Sequence, residues 1–173
     1  MTTENAVRSP IPPPPPARVL SAADMPLVWI DCEMSGLSEH DILLEVAVII
    51  TDGNLVPVDE GVSYIISTPK AVLDGMDEWC TKTHGETGLT AACQNPDIAY
   101  PHIDVRTAVL AYILDRVPER RTACLAGSSV HADKVFLVRE MPEVRRVLTD
   151  RGPFTLSHCR CLHHQGACAA VGQ

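Results

Sequence analysis

Between residues 27 and 67 three short apolar runs follow one another, each bounded by turn-forming residues, and this succession constrains the fold more than anything else in the chain. The runs are 27–33, 42–51 and 61–67, rich in Val, Ile, Leu and Tyr and too short for buried helices, so they predict three β-strands. Asp52, Gly53 and Asn54 place a turn between the second and third, short enough for a hairpin. The apolar spacing then changes: Val105, Ala108, Val109, Tyr112 and Ile113 recur with a helical period, with Asp104 placed to cap a helix that ends near Pro118. A fourth strand at 122–126 and a helix from about His131, carrying Asp133, Phe136 and Leu137, complete the pattern. Three strands, a helix, a strand and a helix predict an α/β fold with a mixed sheet.

The flanks read differently. Residues 1–25 contain the 12–16 proline run and little that packs, so they are expected to form a disordered or polyproline leader. A mitochondrial presequence would be Arg-rich and poor in acids, whereas this stretch sets Arg8 and Arg18 against Glu4 and Asp24. After about Leu148 no strand or helix period is sustained, and residues 148–173 read as a divergent tail, leaving 26–147 as the folded domain. The tail holds His158, Cys159, Cys161, His163, His164 and Cys168, but they crowd into one stretch where structural zinc sites use two separate ligand pairs. Seven cysteines without a secretory signal point to reduced thiols and an intracellular protein, cytoplasmic or mitochondrial.

A net charge of −8 argues against a grip on long nucleic acid, which needs many clustered Lys and Arg, while leaving short or end-bound anions open. No apolar run approaches the roughly 20 residues that span a bilayer, so no membrane partner is expected. The sharpest chemical feature is Asp31-Cys32-Glu33, at the end of the first strand. Residues two apart in a strand share a face, so the two carboxylates converge while Ile30 and Cys32 turn inward. Carboxylates that close repel, and a hard divalent cation offsets the repulsion. A solvated strand end would also account for the pair. Glu45, an acid inside an apolar run, is expected to be structural or to sit behind the site, and Asp41, Asp52 and Asp77 are expected in turns and caps.

The segment 31–37, Asp-Cys-Glu-Met-Ser-Gly-Leu, resembles the first exonuclease motif of oligoribonucleases, metal-dependent 3′ to 5′ exonucleases of the DEDD superfamily. Further segments agree in order: Thr-Asp-Gly-Asn-Leu at 51–55, Met-Asp-Glu-Trp-Cys at 76–80, His84-Gly85 with Thr-Gly-Leu at 87–89, Met-Pro-Glu at 141–143, and Gly-Ser-Ser-Val-His-Ala-Asp at 127–133 as the second exonuclease motif. The resemblance spans residues 27–147 and implies an RNase H-like mixed sheet with flanking helices, incomplete at the C-terminus. It also implies that Asp31, Glu33 and Asp133 bind two ions, Mg²⁺ or Mn²⁺, that Leu37 wedges between terminal bases, that Trp79 stacks on one, that His84 lies near the pocket and that Ser129 helps cap the 5′ phosphate of short RNA oligonucleotides. A homodimer is implied as well. For Trp79 an ordinary core aromatic, and for His84 a surface loop histidine, are the competing expectations. The family's third motif, a His followed five positions later by an Asp, has no counterpart here, since Asp150 is the last aspartate. The alternative to an active exoribonuclease is therefore a catalytically impaired member that binds nucleotide, metal or a partner subunit.

Overall fold

The computed structural model describes residues 11, 12, 14–16 and 18–149. In chain order these form β1 (Leu27–Met34), β2 (Leu43–Thr51), β3 (Val62–Ile66), α1 (Lys70–Asp74), α2 (Glu78–Thr87), α3 (Leu89–Gln94), β4 (Ala99–Tyr100), α4 (His102–Arg116), β5 (Cys124–Ala126), α5 (His131–Glu140) and α6 (Pro142–Val147). The strands make one sheet in the order β4-β3-β2-β1-β5. β2 runs antiparallel to both β1 and β3, while β5 runs parallel to β1 and β4 parallel to β3. The expected mixed sheet with flanking helices is what forms.

Alternation along β1 and β2 sends Val28, Ile30, Cys32, Val46, Val48 and Ile50 to one face. There they join Val105, Val109, Tyr112 and Ile113 of α4, Phe136 and Leu137 of α5, and Val144 and Val147 of α6 in the main core. Each fully buried aliphatic or phenyl side chain contributes about 1.5–3 kcal/mol relative to exposure. A second cluster holds Leu44, Leu73, Met76, Cys80, Leu89 and Cys93 under α1, α2 and α3. A register shift reconciles the two. Glu33 pairs with Glu45 and Met34 with Leu43, so Leu44 bulges out of the ladder, and the adjacent Leu43 and Leu44 are both fully buried in different clusters.

Several expectations shift. The stretch 70–94 folds into three short helices that apolar periodicity did not predict, because Gly75 and Gly88 divide it and α2 buries only Cys80 and His84. β2 and β3 are joined by residues 52–61 rather than by a tight hairpin turn. Asp52 closes the first part by accepting from Asn54 and Val56 amides, and Gly61, at φ 82°, ends it where a Cβ would sit 2.6 Å from the Val48 carbonyl oxygen. α4 starts at His102 behind Pro101, so Asp104 lies in its first turn, favourable to the helix dipole, instead of capping it.

Both flank boundaries also move. Leu20 belongs to the main core at 2% exposure, and its amide donates to the Arg116 carbonyl at 2.7 Å, so packing begins before residue 26. Arg116, 0% exposed, donates to Asp59 at 2.6 Å and to the Pro14 carbonyl at 2.9 Å, which ties this strap to α4. At the other end Leu148 is buried and Thr149 lies parallel beside β5, exchanging backbone hydrogen bonds with Leu125 and Ala123. The tail cysteines and histidines lie outside the described residues, among which Cys32, Cys80 and Cys93 are free thiols. No described helix is long and apolar enough to cross a membrane.

Candidate nuclease site at the end of β1

The site assembles where β1, β3, β4 and β5 end, the end of an α/β sheet at which loops gather over the strand termini. Asp31 and Glu33 are exposed on one face of β1 while Ile30 and Cys32 are buried on the other, as the spacing requires. β5 stops opposite Trp29, so among the described residues no strand flanks β1 beyond that point on that side. Asp133, in the first turn of α5, fills the gap: its Oδ1 accepts the Cys32 amide at 2.9 Å. The third carboxylate therefore sits at the peptide between the first two. The loop that delivers it passes so close to β1 that a Cβ on Gly127 would lie 2.7 Å from the Ile30 carbonyl oxygen. Glycine is required there.

Electrostatics distinguish Asp133 from an ordinary surface acid. Burial, joined by the negative charge of Asp31, raises its pKa above the usual carboxylate range in spite of the Cys32 hydrogen bond. Burial, reinforced by the surrounding acids Asp133, Asp31 and Glu33, also pushes the Cys32 thiol well up, so it is a neutral packing group. Glu45 adds a further acid that the strand pairing places directly across from Glu33, and like charges in that position oppose pairing. The Ser63 hydroxyl, donating to Glu45 Oε1 at 2.6 Å, partly offsets this. Among the described residues no three His, Cys, Asp or Glu side chains converge closely enough to hold a metal ion, so the expected cradle is open rather than closed.

The remaining candidates fall into two groups. Leu37 is 76% exposed on the loop after β1, and Trp79 is 65% exposed on α2, so Trp79 is not a core aromatic. His84 is not on a surface loop: it lies in the last turn of α2, 2% exposed, with Nε2 2.9 Å from the Met34 carbonyl. A carbonyl only accepts, so Nε2 carries the proton, and the bond fastens α2 to the end of β1. Asp77 caps the same helix by accepting the Cys80 amide at 2.7 Å. Ser129 is exposed just before α5 at φ 52°, a left-handed conformation costly for a serine, and its carbonyl accepts the Ala132 amide.

The model of a family described as Exonuclease, RNase_T, matches residues 28–153. The chain belongs to the exonuclease family. Among curated exonuclease relatives, a probable oligoribonuclease of Schizosaccharomyces pombe is 46% identical over 127 residues, covering 72% of this chain and 49% of the relative. The mitochondrial oligoribonuclease of Saccharomyces cerevisiae is 40% identical over 127 residues, covering 69% and 46%. A probable oligoribonuclease of Drosophila melanogaster is 42% identical over 123 residues, covering 70% and 56%. The chain thus spans about half the length of these relatives. A solved, product-bound exonuclease I aligns with TM-score 0.50 at 13% identity, over 68% of this chain and 26% of that one. That likeness concerns the fold, the RNase H-like mixed sheet of exonucleases, and the exonuclease family generally works with divalent metal ions.

Proposed function

We propose that the chain is a 3′ to 5′ exoribonuclease that shortens small RNA oligonucleotides to nucleoside monophosphates, with Asp31, Glu33 and Asp133 as the oxygen ligands of its divalent cations. The observation that carries this reading is the hydrogen bond from the Cys32 amide to Asp133, which pins a buried carboxylate beside two exposed ones. The donor set fits Mg²⁺ or Mn²⁺, since hard cations take carboxylate oxygens. With Oδ1 committed to Cys32, Asp133 offers its second oxygen. When bound, a pair of such cations supplies charge stabilisation for the phosphate and an ionised water.

The chain's own residues do the rest. Leu37 and Trp79 are exposed apolar groups: Leu37 wedges between the terminal bases and Trp79 stacks on one, a contact that tolerates any base because each has a π face. His84 holds the Trp79 helix in place, and Ser129, on the loop into α5, helps cap the 5′ phosphate of a short substrate. With a net charge of −8 the chain takes short substrates by their ends rather than by long phosphate tracking. The reading includes a homodimer, checked by sedimentation equilibrium, and RNA turnover inside the cell, in cytoplasm or mitochondria.

A second reading is a chain that binds such oligonucleotides without turning them over. It is favoured by one observation: no His within these 173 residues stands five positions before an Asp, and activity without such a positioned base falls by about 10²–10⁴ in rate. Incubation of labelled di- to tetranucleotide RNA with the chain and Mn²⁺ decides between them. Release of mononucleotides that Asp31→Ala abolishes supports the exonuclease; binding without release supports the second reading.

A further inference from the structure

Leu37 stands at the tip of residues 36–41, and at 76% exposure its own packing cannot hold it in place. The base of that loop is self-contained. Asp41 accepts from the Ser35 hydroxyl and the Ser38 amide, both at 2.8 Å, and the Ser35 amide donates to the Ile42 carbonyl. Gly36 packs so tightly against the Asp41 carboxylate that a Cβ would lie 2.5 Å from Oδ2. The rest of the support comes from a distant part of the chain. Arg139, near the end of α5, donates through Nη1 to the Glu39 carbonyl at 2.9 Å and through Nη2 to the Asp41 carbonyl. Its guanidinium lies 4.6 Å from the Phe136 ring centroid and is held by Glu140 at 2.8 Å. Glu140 in turn accepts the Leu43 amide at 3.2 Å and has His102 Nε2 3.5 Å away. The C-terminal end of α5 therefore grips the chain at residues 39, 41 and 43, while its first turn grips β1 through Asp133. Positions 133 and 139 lie about 9 Å apart along one helix.

We propose that Arg139 is a positioning residue for substrate binding: by clamping the Glu39 and Asp41 carbonyls to α5 it fixes Leu37 in the frame of the Asp133 carboxylate. The clamp rests on the assignment of Leu37 to base binding made above. A planar fork that meets two carbonyls at once suits the task, and an ammonium does not reproduce it. Freed from Arg139, the loop spreads over many conformations, and the terminal base meets Leu37 only after that freedom is lost.

The test is a double-mutant cycle on the full chain, with affinity for a fluorescent RNA dinucleotide read by anisotropy in Ca²⁺. Leu37→Ala and Arg139→Ala are each expected to weaken binding about tenfold, and the double variant to bind no worse than Leu37→Ala alone, since both changes remove one contact. Arg139→Lys should resemble Arg139→Ala. Wild-type affinity in Arg139→Ala, multiplied losses in the double variant, or full recovery in Arg139→Lys would each overturn the clamp. Should the wild-type chain fail to bind the dinucleotide, the functional reading falls while the clamp is still decided: amide exchange at residues 36–41 must rise in Arg139→Ala, and unchanged exchange refutes it.

Discussion

Two clusters in this molecule each centre on an aspartate withdrawn from solvent, and the two aspartates reach opposite states. Behind the sheet, Asp59 faces Arg116 at 2.6 Å and the Tyr112 hydroxyl at 2.7 Å, with the guanidinium lying 3.8 Å from the Tyr112 ring centroid. Burial alone would raise Asp59, but the hydrogen bonds from Tyr112, the Gly61 amide and Arg116 bring it below the usual carboxylate range. At the end of β1, Asp133 is more deeply buried, and burial, joined by the negative charge of Asp31, pushes it the other way. A cluster whose charge is matched holds the fold together. One whose buried acid is raised in pKa is suited to an external cation.

The comparison is broken most severely by Asp59→Ala, which leaves the fully buried Arg116 without its carboxylate. The expected loss is about 3–5 kcal/mol in urea unfolding. Because Asp59 is lowered in the fold, the stability it contributes is present above the ordinary carboxylate range and lost as pH falls through its folded value, so the variant should show a flatter acid limb than wild type. Trp79→Ala comes next: oligonucleotide binding should weaken by about 1–3 kcal/mol in anisotropy titrations. Its melting temperature should hold, since the ring is mostly exposed. The smallest effect has the opposite sign. Asp133→Asn keeps an oxygen for the Cys32 amide and removes a buried charge, so without divalent cations it should gain about 1 kcal/mol of stability, seen as a higher melting temperature.

How much of this was legible in the sequence depends on how far apart the cooperating residues lie. Asp31 and Glu33 share a face through strand periodicity alone, and the apolar period of α4 located Val105, Val109 and Tyr112 in the core. Asp133 was found only through the motif around it, because nothing local shows that its carboxyl meets an amide 101 residues away. The Arg116 and Asp59 pair, 57 residues apart, left no local sign, and neither did the Arg139 contacts to the loop of Leu37. Helices α1 to α3 escaped because short segments divided by Gly75 and Gly88 bury too few residues to show a period. His84 shows the same limit: burial against the Met34 carbonyl is a tertiary fact.

Direct titration of Mn²⁺ followed by electron paramagnetic resonance addresses the acids at the end of β1 without relying on turnover. Wild-type chain should bind the ion, and Asp31→Ala, Glu33→Ala and Asp133→Asn should each weaken that binding at least about tenfold, the loss expected when one charged ligand is withdrawn. Equal Mn²⁺ affinity in wild type and all three variants would show that these carboxylates do not form the cation site.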